Sequence, residues 1–351
     1  MLLQKVLTII HEHSNVSDIH LCADSPIFMR KPAGYETFDN IPISTLELEG
    51  FISNNAIGGQ SWQTSMLANG GKLDGAVDLT DSRIRYSVYE THGHHHHINI
   101  VMRIIRKAFI PLEQLGGGQS VLKEVTARSK GLVIITGPTG SGKTTTLSSI
   151  IDRINSERSC HIMTIEDPIE HLHYNKQSIV SQREIGSNVK SFSSGLEGAM
   201  RQRPDVIAVG ELLDKDTVDT LFRAADSGHM VLATTHGRSA KDVINRLLGF
   251  FDTEERAQRR QVLASCLSAI ISQVLVPSSD GVDWVLASEI LVNTANVRSI
   301  ISNGNLAQLP AALQQGRADG MNLLSADLSR LAREGRITAQ QARLAAYDEN
   351  F

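Results

Sequence analysis

Apolar residues in the first hundred positions recur with two different periods. Leu3, Val6, Leu7 and Ile10 fall on one face of a helical wheel, which predicts an amphipathic helix over Leu2–Glu12. Asp18-Ile19-His20-Leu21 alternates polar and apolar as a half-buried strand does. Pro26 and Pro32-Ala33-Gly34 supply the turns that follow. Two more alternating segments, around Ala76–Leu79 and Arg83–Tyr89, flank Asp81-Ser82 and predict a hairpin, and Ile98–Ile104 predicts the next strand. The pattern breaks over 105–118, where Arg-Lys-Ala-Phe-Ile-Pro gives way to Leu-Gly-Gly-Gly, so this stretch is the expected linker.

Beyond it, short apolar runs alternate with helical patterns. Strands are expected at Leu132–Thr136, Ile162–Glu166, Val206–Val209 and Met230–Thr234, with a helix starting near Lys143. After Trp284–Glu289 the chain turns helical, with i, i+3, i+4 spacing in Leu323–Leu331 and Ala339–Ala346. This alternation is the signature of a parallel sheet covered by helices. The expected organisation is an α+β domain over 1–104, a linker over 105–118, an α/β core over 119–290 and a helical region over 291–351, with no internal repeat of about 20–50 residues.

Composition narrows the class without naming it. The chain has 351 residues, 41% hydrophobic and 21% charged, which excludes a disordered or low-complexity polymer. Its 34 Lys and Arg against 38 Asp and Glu give a net charge of -4, so stable nucleic-acid binding is not expected. Cys22, Cys160 and Cys266 are widely spaced and form no CxxC, which argues against a disulfide scaffold or a cysteine zinc site. No apolar run approaches the roughly 18–20 residues that span a bilayer, and the first residues lack a signal peptide's apolar core. A soluble protein of a reducing cytoplasm is the expectation. The run His92-Gly93-His94-His95-His96-His97 supplies metal-ligand side chains. Adjacent residues of an extended loop diverge, however, so a solvated loop with incidental metal affinity is the simpler reading.

Four segments carry chemistry. Gly137-Pro138-Thr139-Gly140-Ser141-Gly142-Lys143-Thr144, followed by Thr145, satisfies the phosphate-loop pattern GxxxxGK[ST] between an apolar strand and a helix. Its glycines let backbone N–H groups wrap phosphates, Lys143 would meet the β- and γ-phosphates of ATP, and the Thr144 hydroxyl would bind Mg²⁺. Arg203-Pro204-Asp205-Val206-Ile207-Ala208-Val209-Gly210-Glu211 is a buried strand ending in an acid, and Glu211 is the candidate that faces Mg²⁺ and the attacking water. Thr164-Ile165-Glu166-Asp167-Pro168-Ile169-Glu170 concentrates acids that can position a water or accept its proton. Gly228-His229-Met230-Val231-Leu232-Ala233-Thr234-Thr235-His236-Gly237 places one histidine before a strand and one after it, either able to contact a γ-phosphate.

With these segments in this order, the sequence resembles the secretion-ATPase superfamily, and within it the PilT-type pilus-retraction motors. In that family they are the Walker A, Asp-box, Walker B and His-box motifs. Val16-Ser17-Asp18-Ile19-His20-Leu21 is similar to the family's ASDLHL, and Asn296-Val297-Arg298-Ser299-Ile300-Ile301 to its AIRxLI. The resemblance implies an N-terminal PAS-like domain and a RecA-like P-loop ATPase domain, assembled as a hexameric homo-oligomer. It implies Glu170 as the water-activating residue with Glu166 nearby, Glu211 as the Walker B acid, and His229 and His236 as the His-box pair. Arg83, Arg85 and Arg103 match the arginines that family members draw from the N-terminal domain. The implied partner is an inner-membrane platform protein, and the implied location is the cytoplasmic face of that membrane.

The sequence departs from the family where Gly210-Glu211-Leu212-Leu213-Asp214 lacks an arginine, where Gly237-Arg238 replaces two threonines, and where the histidine run replaces an Arg-Gly stretch. It carries neither the added N-terminal region nor the tetracysteine element of extension motors. That leaves a retraction motor as the leading expectation. The alternatives are a compact ATPase of a type IV secretion or conjugation apparatus and a nucleotide-dependent regulator with little turnover.

Overall fold

The computed structural model describes residues 2–54, 57–92 and 96–346. They form two compact units, Met1–Ala108 with Asp280–Trp284, and Phe109–Ser279 with Val285–Phe351. The division falls between Ala108 and Phe109 because the last strand of the first unit continues to Arg106. Ile105 and Arg106, expected in the linker, are therefore sheet residues, and 109–118 belongs to the second unit. The centre of the histidine run and all its side chains lie outside the described residues, and with them the metal reading of that run.

The first unit is a six-stranded antiparallel sheet with helices on one face. Its strands are β1 (Asp18–Cys22), β2 (Phe28–Lys31), β3 (Gly34–Thr37), β4 (Lys72–Asp78), β5 (Ser82–His92) and β6 (His96–Arg106), in the order β3-β2-β1-β6-β5-β4. Alternation sends Ile19, Leu21, Ile84, Tyr86, Val88, Ile100 and Met102 to one side. Val6, Ile9 and Ile10 of the helix Leu2–Glu12 cover them, together with Leu48, Phe51 and Ile52 of the helix Thr45–Ile52. Ser44 and Glu47 form a capping box that starts the second of these helices.

The opposite sheet face carries charge. Arg30, Asp18, Arg103 and Arg85 are cross-strand neighbours in one row over β2, β1, β6 and β5, and Arg83 faces Asp78 and Ile105 one step along. Arg103 donates from Nε to Asp18 Oδ1 at 2.9 Å, and Ser17 Oγ donates to Asp18 Oδ2 at 2.8 Å. The buried aspartate of the ASDLHL-like motif thus anchors one of the three candidate arginines.

The second unit is a seven-stranded sheet between two helical layers. Its strands are β7 (Gly131–Thr136), β8 (His161–Glu166), β9 (Ile179–Glu184), β10 (Val206–Val209), β11 (Met230–Thr235), β12 (Leu267–Pro277) and β13 (Trp284–Val292), in the order β13-β12-β7-β11-β10-β8-β9. From β12 to β9 every pairing is parallel. Both faces are buried, so the strands read as unbroken apolar runs rather than alternating ones. Leu132, Ile134, Ile207 and Val209 pack against Leu196, Leu221, Phe222 and Leu247 on one side. Val133, Ile135, Ala208 and Leu232 pack against Leu147, Ile150, Ile151 and Ile154 on the other. The last four belong to the helix Lys143–Glu157, at its i, i+3, i+4, i+7 positions. No helix among the described residues is long and apolar enough to cross a membrane.

The Arg103–Asp18 pair has a testable consequence for the first unit. Arg103→Ala leaves a buried carboxylate with one hydroxyl partner, which should lower the unit's unfolding free energy by about 1–3 kcal/mol. Adding Asp18→Ala should recover part of that loss in a double-mutant cycle read by chemical denaturation. An additive cycle would mean that the two side chains do not stabilise each other.

Candidate active site

Parallel register brings the ends of four strands level. Thr136 of β7 faces Thr235 of β11, Val209 of β10 faces Ala233, and Ile165 of β8 faces Val209. The loop after β7, Glu166 at the end of β8, Glu211 just past β10 and His236 just past β11 therefore share one carboxyl edge. In open α/β sheets that edge is where ligands bind.

The loop after β7 needs glycine. Gly137, Gly140 and Gly142 have φ values of 155°, 78° and 83°, in the region that side-chain-bearing residues avoid. A Cβ on Gly137 would also overlap Gln273 O and Ser141 Oγ. Gly142 ends the loop as the left-handed N-cap of the helix that begins at Lys143. Gln273 of β12 fixes the end of the loop by donating from Nε2 to Ser141 O at 2.6 Å. Pro138, Thr139 and Gly140 are exposed, while Thr144 and Thr145 are half-buried on the first helical turn.

Lys143 folds back over this loop, with Nζ 3.0 Å from both Gly137 O and Pro138 O. Burial lowers its pKa from the ordinary lysine value, and the Glu211 and Glu170 carboxylates act the other way. Glu211 is held on both sides. Gly210 N donates to Ile165 O at 2.7 Å, Thr234 Oγ1 donates to Gly210 O, and Leu212 N donates to Thr234 O at 3.0 Å. His236 Nε2 lies 2.8 Å from Glu211 Oε1. A carboxylate only accepts, so that nitrogen carries the proton.

Glu166 is 9% exposed. Its Oε1 accepts from Thr164 Oγ1 at 2.6 Å and from Gln182 Nε2 at 3.1 Å. Burial nonetheless raises its pKa above the ordinary glutamate value; those two hydrogen bonds oppose the rise and the nearby Glu170 charge adds to it. Glu170 follows in a segment, 167–178, that forms neither helix nor strand. Farther along, His173 stacks on Phe109 with ring centroids 4.6 Å apart, and His171 lies 5.8 Å from the same ring.

Not every expected residue joins this edge. His229 precedes β11, accepts at its carbonyl from Gly131 N at 3.1 Å, and directs Nδ1 to Ser227 Oγ and Ala224 O. It stands at the amino edge of the sheet, one strand length or roughly 20 Å from His236. Arg83, Arg85 and Arg103 belong to the other unit, on the charged face described above.

The fold also recruits Gln273 of β12 and Gln182 and Glu184 of β9, two strands absent from the predicted elements. The signal for Gln273 was present as a Ser-Gln pair interrupting the apolar run Leu267–Val276.

Whether this edge suits a nucleoside triphosphate and Mg²⁺ can be tested on its own atoms. Ser141 Oγ, Thr235 Oγ1 and Ser272 Oγ are buried around the loop without a hydrogen-bond partner. Together with the glycine loop, the helix N-terminus and the Lys143 ammonium, they put donors on the edge where Glu166 and Glu211 stand. That set fits phosphate oxygens on one side and a hydrated divalent cation on the other.

The fold and this edge define a parallel α/β unit with a GxxxxGKT loop between a buried strand and a helix. A family model described as Type II/IV secretion system protein matches residues 60–333, and the chain belongs to that family. It is 36% identical over 343 residues to the uncharacterized protein YggR of Escherichia coli (strain K12), covering 96% of this chain and 100% of that one. It is 40% identical over 252 residues to the type IV pilus retraction ATPase PilT of Pseudomonas aeruginosa, covering 72% of this chain and 73% of PilT. A crystal structure of the pilus retraction motor PilT with bound ADP matches with a TM-score of 0.82 at 36% identity, over 98% of each chain.

The histidine pair beside Phe109 generates a pH prediction. Burial lowers the His173 pKa from 6.5 to about 4. The unfolded chain therefore takes up a proton that the folded one refuses, and stability present above pH 6.5 is lost as the pH falls towards 4. The contribution lost between pH 7 and 5 should be about 2 kcal/mol. The raised pKa of Glu166 works in the opposite sense, costing stability as the pH rises, so the comparison must be between variants. Urea unfolding of His173→Phe should show a flatter acid limb than the wild type, and parallel curves would refute the burial argument.

Proposed function

We propose that the second unit is a RecA-like, Mg²⁺-dependent ATPase core, and that the chain is a mechanochemical motor acting on a type IV pilus machine in the retraction direction. The observation that carries the chemistry is the shared carboxyl edge, where the 137–142 loop and Lys143 meet the end of β8, from which Glu170 follows, and Glu211 just past β10. Family membership and the PilT relatives support the mechanical role.

In this reading the 137–142 backbone and Lys143 bind the β- and γ-phosphates of ATP. Thr144 and Glu211 hold Mg²⁺, which when bound supplies charge neutralisation at the phosphate oxygens. Glu170 accepts the proton of the attacking water, with Glu166 shaping the acid pocket behind it. His236 fixes the Glu211 carboxylate by the 2.8 Å contact and stands where a γ-phosphate can be detected. Arg83, Arg85 and Arg103 act on the site of a neighbouring copy in a hexameric ring, and His229 serves outside its own subunit's phosphate edge. The first unit takes the PAS-like role of the family's N-terminal domain. The ring works against a platform protein at the cytoplasmic face of the inner membrane.

Phosphate release from Mg·ATP by the full chain tests the core claim. Lys143→Ala should abolish it, and Glu170→Gln should retain nucleotide binding while losing about 10²–10⁴-fold in turnover. Specific activity should rise with protein concentration if a neighbour completes the site. Wild-type turnover in Lys143→Ala would sink the site assignment, and concentration-independent activity would sink the ring.

The biological direction has its own test. Cells lacking the protein should keep surface pili extended. Normal pili together with lost macromolecular transfer would assign the motor to a secretion or conjugation apparatus.

A further inference from the structure

The irregular segment that carries Glu170 is tied down from the sheet edge. Thr164 and Glu166 of β8 lie opposite Gln182 and Glu184 of β9, so all four side chains share a face. The chain leaving Glu166 passes along the same face. Gln182 Nε2 donates to His171 O at 2.9 Å as well as to Glu166 Oε1 at 3.1 Å, and Gln182 Oε1 accepts from His173 N at 2.7 Å. The amide orientation is fixed because a backbone N–H can only donate and a carbonyl can only accept. Glu184 Oε2 accepts from Ile169 N at 3.0 Å.

Ile169 and His171 are the two neighbours of Glu170 in the chain. Each has a main-chain group held by a β9 side chain, in a stretch with no secondary structure of its own to fix it. A single side chain, Gln182, also joins this loop to the buried carboxylate of Glu166. A main chain held on both sides of one residue sets where that residue's side chain can reach.

We propose that Gln182, with Glu184 as the second anchor, is a positioning residue that holds Glu170 at the distance from the attacking water needed for proton transfer. In this role Gln182 acts through the backbone of His171 and His173, which its side chain holds. The proposal rests on the reading of Glu170 as the proton acceptor. Displacing a catalytic group by about 1 Å can cost 10²-fold in rate, so loosening this tether should lower turnover and leave nucleotide affinity alone.

Two variants of the full chain test it. Gln182→Glu keeps the shape and the acceptor for His173 N–H but loses both donated bonds, whereas Gln182→Met loses all three. In both, kcat for ATP should fall about 10–100-fold, while KM and the Kd for ADP stay within about threefold. Adding either change to Glu170→Gln should cost nothing further, because a residue acting through Glu170 has no effect once its proton acceptance is gone. Should Gln182→Met fail to fold, the near-isosteric Gln182→Glu decides alone.

Unchanged kcat, an equal loss on the Glu170→Gln background, or a rise in KM at constant kcat would overturn the proposal. Full turnover in both Gln182 variants beside an inactive Glu170→Gln would overturn the positioning role only. Full turnover in Glu170→Gln itself would remove the proton-acceptor reading and the proposal with it.

Discussion

The site depends on one cation held above a parallel sheet. Lys143 starts a helix whose first turn is fixed by Gly142 in a left-handed conformation, and its ammonium lies on the carbonyls of Gly137 and Pro138. β7, β11, β10 and β8 run parallel and in level register, so Glu211 and, by way of Glu166, Glu170 leave the sheet at the same edge as that ammonium. Those acids leave the sheet from β8 and β10, strands that are not β7's immediate neighbours in the second unit. Their placement is thus a property of the crossover order, with β11 inserted between the phosphate loop and both acids.

Around that cation the carboxylates occupy different surroundings. Glu211 is half-exposed and held by His236, whereas Glu166 is nearly buried and has its pKa raised by desolvation. Acids in such unlike environments take different tasks: one stays available to a metal and solvent, the other organises a buried network. Glu170 lies between these extremes, on a loop without regular structure. The main chain on either side of it is held by side chains of β9 and not by a helix or strand of its own. In the proposed role, a residue that meets a water molecule gains from such a mount.

Much of this was legible in the sequence for physical reasons. Apolar runs such as Leu132–Ile135 and Val206–Val209 read as buried strands because both sheet faces are covered, and the glycine pattern of 137–142 follows from backbone angles that other residues avoid. The helix Leu2–Glu12 was visible from its apolar spacing, but its buried face is Leu2, Val6, Ile9 and Ile10, which leaves Leu3 of the expected stripe exposed. Strand β9 was not, since Ile179-Val180-Ser181-Gln182-Arg183-Glu184 is a polar edge strand with no hydrophobic signature. Strand β12 was hidden because its apolar run follows directly on a helix, from Cys266 to Leu267. The His-box pair shows the limit of motif reading: six residues separate His229 from His236 in the segment, but a full strand puts them at opposite edges of the sheet. Likewise Asp18 carries a motif position, yet only the fold reveals that its charge is matched by Arg103.

The central claim is that nucleotide phosphates occupy the carboxyl edge of the second unit's sheet. Hydrogen–deuterium exchange of the full chain with and without ADP tests it most directly, because it reads location without relying on turnover. The account predicts slower exchange in peptides spanning 137–146, 209–213 and 234–238, with little change across 201–206 and 226–231 at the amino edge. Protection centred on the amino-edge peptides, or none at 137–146 at saturating ADP, would contradict it.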